Sequence, residues 1–85
     1  MASYKLLFKK SVTKDLRVLP NKDIKRILSR IEALADDPRG QGCAKLSGIS
    51  LYRVRVGVYR VVYEILDDQL IIHVIRIAHR ARVYR

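Results

Sequence analysis

The chain has no tryptophan, one cysteine, one methionine, one phenylalanine and only two prolines in its 85 residues. A single Cys43 excludes an intramolecular disulfide and any multi-cysteine metal site, which suits a reducing cytosol. Without a nearby base in sequence, Cys43 reads as a small packing residue rather than a catalytic thiol. No apolar run approaches the ~18 residues that a bilayer-spanning helix requires. The opening Met1-Ala2-Ser3-Tyr4-Lys5 lacks the ordering of a secretory signal. These absences lead us to expect a soluble cytoplasmic protein. No repeat, low-complexity tract or linker interrupts the chain, so residues 1–85 read as one small domain with one modest core. The most telling absence is of lysine. From Tyr52 to Arg85 there is none, although that stretch holds seven arginines.

What is present is positive charge: 18 Lys and Arg against 8 Asp and Glu give a formal net charge of +10. Such a balance fits a polyanion such as nucleic acid, and an acidic protein partner equally. Lysine is a strongly hydrated point charge, whereas arginine offers a planar fork that can hold two phosphate oxygens at once. In an extended strand Arg53 and Arg55 share one face, while Tyr52, Val54 and Val56 share the other. One face packs and the other is free to meet anions.

Tyr4 to Phe8 reads as a first strand, followed by a helical segment with Val12, Leu16 and Leu19 in phase and Pro20 at its end. Asn21 is the expected cap of a second helix, with Asp23 in its first turn. There Ile24, Ile27, Leu28, Ile31, Leu34 and Ala35 form a continuous apolar stripe, and Lys22, Lys25, Arg26 and Arg30 mostly lie opposite. Residues 45–49 read as a loop or short extended piece. Three strands then follow, Leu51 to Val56, Val58 to Leu66 and Leu70 to Ile77, joined by turns at Gly57 and at residues 67–69. Short connections imply antiparallel neighbours. The order β-α-α-β-β-β, ending in an arginine-rich tail, defines a two-layer α+β fold with helices covering one sheet face.

This order, together with Lys45-Leu46-Ser47-Gly48, the run from Tyr52 to Glu64, and the close His79-Arg80-Ala81-Arg82-Val83-Tyr84-Arg85, resembles the RelE/ParE toxin superfamily, with the RelE branch nearer. The resemblance covers essentially the whole chain. It implies a helical hairpin packed on a curved, mainly antiparallel sheet. It also implies the toxin of a type II toxin-antitoxin pair, an endoribonuclease that cuts messenger RNA in the ribosomal A site without a cofactor or metal. The implied partners are a RelB-like antitoxin, assembled with the toxin as a hetero-oligomer, and the ribosome with its message; no membrane is implied. A gyrase inhibitor of the ParE kind, or a silent protein acting only as antitoxin partner or co-repressor, would share the fold.

The resemblance matches Arg53, Arg55, Arg60, Arg80 and Tyr84 to the catalytic group, with Arg82, Arg85, Lys45 and His79 as RNA contacts. RNA cleavage by its own 2′-hydroxyl needs fixed cations to stabilise charge on the phosphorane, and a proton carrier. Arg60 and Arg80 are assigned to the phosphate, Arg53 and Arg55 to orienting the backbone and stabilising charge. Tyr84 can stack on a base or take part in proton transfer. Arginine is a poor proton carrier at neutral pH, so the sequence assigns no general base. His79 is a candidate for it, set against a surface histidine among arginines. His73, in an apolar strand, reads as structural, and Arg76 and Arg82 divide evenly between solubility and function.

Overall fold

The computed structural model describes residues 3–79. The elements run β1 (Lys5–Phe8), α1 (Lys10–Arg17), α2 (Asn21–Leu34), β2 (Cys43–Lys45), β3 (Tyr52–Val56), β4 (Tyr59–Leu66) and β5 (Ile71–His79). Their sheet order is β1-β5-β4-β3-β2. The β2 to β5 ladders are antiparallel, as short connections require, but β1 lies parallel to β5, with Lys5 opposite Ile71 and Phe8 opposite Val74. The sheet is therefore mixed, and its first strand closes beside its last. The expected strand order also gains β2, because Cys43 to Lys45 pair with Val54 to Tyr52 before the chain turns.

The α2 stripe folds as its spacing dictates: Ile27, Ile31 and Leu34 are fully buried, and Leu28 packs against them. They meet Val54, Val61, Tyr63, Ile72, Val74 and Ile77 from the sheet and Val12 from α1. Each such burial removes a side chain from water at a gain of about 1.5–3 kcal/mol. Tyr63, the largest buried side chain, donates its hydroxyl to the Pro38 carbonyl at 2.7 Å and stacks on Tyr52 with ring centroids 5.9 Å apart. Burial first, then its neighbours, pushes that hydroxyl's pKa well above the usual tyrosine range.

Two local details differ from the sequence reading, and one between them agrees. Asn21 is not the cap of α2 but its first residue; Pro20, with φ −61° and ψ 146°, occupies the cap, and its carbonyl accepts from Asp23 and Ile24. Proline's fixed φ and missing N–H suit it to this boundary. The two-residue β3–β4 loop does turn on Gly57, at φ 60°. Leu70, expected to begin the last strand, instead sits in the preceding turn at φ 54°. No helix among the described residues is long and apolar enough to cross a membrane.

Candidate nucleic-acid interface

Strand alternation sorts the basic residues by face. Val54 and Val61 point at the helices and are buried, so Arg53, Arg55, Arg60 and Val62 point the other way. Arg55 stands directly opposite Arg60 in the β3–β4 ladder, and Arg53 opposite Val62. Arg53 also reaches back toward the Gly42 carbonyl, with Nη1 3.5 Å from the oxygen. On the helix side of the same loop, Arg30 donates to the Gln41 carbonyl at 3.0 Å and lies 3.7 Å from the Cys43 sulfur. Cys43 is a half-buried packing residue, as its lone occurrence suggested.

Beside Arg60 the sheet holds a hollow of about 300 Å³, lined by Leu51, Val62, Ile75 and Ala78 together with Arg60 and Arg76. Apolar walls with two guanidinium groups can take a planar base and a phosphate at once. Arg76 joins this face because β5 changes register between its pairings with Val62 and Tyr63. Its signal in sequence was an arginine where simple alternation calls for a core residue.

Two expected RNA contacts do not join the arginines. Lys45 pairs with Tyr52, and cross-strand partners share a face, so Lys45 belongs to the helix side of an edge strand. His79 pairs with Tyr59, also on the helix side, and meets its ring edge-on with centroids 5.8 Å apart. The Tyr59 hydroxyl donates to Asp23 at 2.8 Å, a bond that, with partial desolvation, raises the tyrosine's pKa. His79 lines a second hollow, of about 760 Å³, with Lys14, Asp15 and Leu19. His73 is held by Glu64, Nδ1 to Oε1 2.9 Å, as a structural residue would be. Arg80, Arg82, Tyr84 and Arg85, expected to complete the site, lie outside the described residues.

A helical hairpin on a mixed five-stranded sheet, with arginines gathered on the opposite face, defines a small basic α+β protein equipped to bind an anion. Residues 6–84 match the family described as the ParE toxin of type II toxin-antitoxin system, parDE. The chain is 36% identical over 80 residues to RelE1 of Methanocaldococcus jannaschii, covering 89% of each. Among solved structures it resembles the archaeal RelE-RelB complex from Pyrococcus horikoshii, with a TM-score of 0.83 and 30% identity over 95% of this chain and 99% of that one. The RelB-RelE antitoxin-toxin complex from Methanococcus jannaschii gives a TM-score of 0.74 and 33% identity, over 92% and 94%. The chain belongs to the RelE/ParE toxin superfamily, in its RelE-like branch.

Proposed function

We propose that the protein is a cytoplasmic, ribosome-dependent endoribonuclease that cuts messenger RNA in the A site and so stops translation. The observation that carries this reading is Arg55 placed directly opposite Arg60 on the sheet face away from the helices. Like charges in directly opposed positions destabilise a ladder, and a phosphate held between them offsets that cost. The hollow beside Arg60 supplies apolar walls for the neighbouring base.

In the reaction the substrate's 2′-oxygen forms a bond to the adjacent phosphorus and the bond to the 5′-oxygen breaks. The products are a 2′,3′-cyclic phosphate and a 5′-hydroxyl. One proton leaves the nucleophile and one reaches the leaving oxygen. Arg60 and Arg55 stabilise the doubly negative phosphorane, Arg53 orients the backbone, and Arg80 and Tyr84 act as the family resemblance assigns them. Fixed donors of this kind are worth most when water is excluded, which docking in the ribosomal A site would supply.

A RelB-like antitoxin is the expected partner, because both archaeal relatives above were solved as RelE with RelB. A net charge of +10 would speed encounter with an acidic segment that folds as it wraps the toxin. The matched family's description, which names ParE, supports a second reading as a gyrase inhibitor. Primer extension on a translated message after induction separates the two. Cuts inside codons that vanish when translation is blocked support the nuclease, whereas intact messages with relaxed plasmid DNA favour gyrase inhibition.

A further inference from the structure

In β5, Ile72 and Val74 are fully buried, and unbroken alternation would send residue 76 into the core after them. Residue 76 is an arginine, which a core accepts only at great cost. The register resolves this. Tyr63 faces Val74 and Val62 faces Arg76, leaving Ile75 as an extra, unpaired residue. The alternation inverts at that point: Ile77 enters the core at 4% exposure, and Arg76 comes out beside Val62 on the arginine face.

A bulge of this kind gives up regular ladder geometry, and bulges recur where a side chain must be re-aimed. The protein compensates from outside the sheet. The Ile77 N–H, immediately after the bulge, donates to the Asp15 carboxylate of α1 at 3.1 Å. Lys9 N–H bonds the Val74 carbonyl just before it at 2.9 Å. The bulge is thus held on both sides by the segment that forms α1. Its product is specific: Arg60 pairs with Ala78 and Val62 with Arg76, making the two arginines diagonal neighbours, roughly 7–8 Å apart at the backbone. Both line the same hollow, whose other walls are mostly apolar.

We propose that Arg76 is a further RNA-binding residue, gripping the phosphate next to the one assigned to Arg60, and that Asp15 is the positioning residue that fixes the bulge and thereby aims it. This rests on the nuclease reading above. Its test uses the full chain and a single-stranded RNA oligonucleotide with 2′-O-methyl riboses, which binds but cannot be cut. Arg76→Gln should weaken binding on the order of tenfold at low salt. It should also reduce the slope of log affinity against log salt by roughly 0.7, the increment for one single-strand phosphate contact. Asp15→Ala should give the same loss and add little to Arg76→Gln in the double variant. Asp15→Asn, which keeps an oxygen acceptor, should restore most of the affinity.

An unchanged salt slope in Arg76→Gln overturns the phosphate contact, and that measurement stands even if Asp15→Ala does not fold. Additive losses in the double variant overturn the positioning role. Binding that Arg60→Gln abolishes and Arg76→Gln leaves intact defeats this inference alone. No binding by the unaltered protein overturns this inference too, whereas the nuclease reading falls only if the codon cuts in the primer-extension assay are absent.

Discussion

Arg55 and Arg60 face each other across neighbouring strands of the same ladder, two like charges in the position where a sheet gains most from opposite ones. The proposed function and stability pull apart at this pair. Arg55→Gln is expected to raise stability by about a few tenths of a kcal/mol at low ionic strength, with the gain shrinking as salt screens the repulsion. The same variant should lose toxicity in a growth assay. Urea unfolding at two salt concentrations reads the first effect; a stability that falls at low salt would show that the two side chains are not in repulsion.

Tyr63 tests the core. Its hydroxyl is the donor that reaches the Pro38 carbonyl at 2.7 Å in a buried setting. Tyr63→Phe keeps the ring and its stacking on Tyr52 but strands that carbonyl, so a loss of about 1–3 kcal/mol is expected in chemical denaturation. RNA affinity of the folded variant should be unchanged, because the side chain points away from the arginine face.

Acid should release a separate clasp. Asp67 accepts from Arg39 at 2.8 and 3.1 Å and from Tyr4 at 2.7 Å, and Arg39 also donates to the Tyr52 hydroxyl at 3.2 Å. The Arg39 guanidinium, then the Tyr4 hydroxyl, hold the Asp67 carboxyl down at about 2, below its ordinary 3.8. A depressed folded-state value means this contribution is complete above the unfolded-state pKa and drains away as pH falls from about 4 through about 2. The urea midpoint of the wild type should therefore drop more between pH 5 and pH 2 than that of Asp67→Asn. Equal drops would exclude Asp67 as a source of the acid sensitivity.

Leu70 holds φ at 54° and is 42% exposed, so it bears the cost of the left-handed region at a position outside the core. Leu70→Gly should raise stability by about 0.5–1 kcal/mol, read as a higher urea midpoint with an unchanged denaturant slope. A lower midpoint would mean that the leucine's packing outweighs its backbone strain.

The helical stripe, the Gly57 hairpin and the facing of Arg53 and Arg55 were legible in sequence because each depends on a local period or a single turn residue. The parallel seat of β1 beside β5 was not, since short connections say nothing about a pairing that spans nearly the whole described chain. That Lys45 and His79 fall on the helix side was not legible, for one shared reason: the face a strand residue takes depends on register. For His79, one extra residue at Ile75 moves every later side chain to the other face. Arg76 was visible as a charge among apolar neighbours, but only the pairing of β4 with β5 turns that irregularity into a position.

The parallel β1–β5 ladder also has a bearing on when the arginine face can form. β1 must wait, its edge unsatisfied, for a partner made 66 residues later, as the pairing of Lys5 with Ile71 requires. Pairings so distant along the chain form late and slowly. Until β5 has left the exit tunnel, Ile72, Val74 and Ile77 are missing from the core, and neither Arg76 nor its bulge exists in folded form. A chain with β5 still inside the tunnel therefore lacks a finished arginine face, and the sheet that carries it is completed only once residues 5–79 have all emerged.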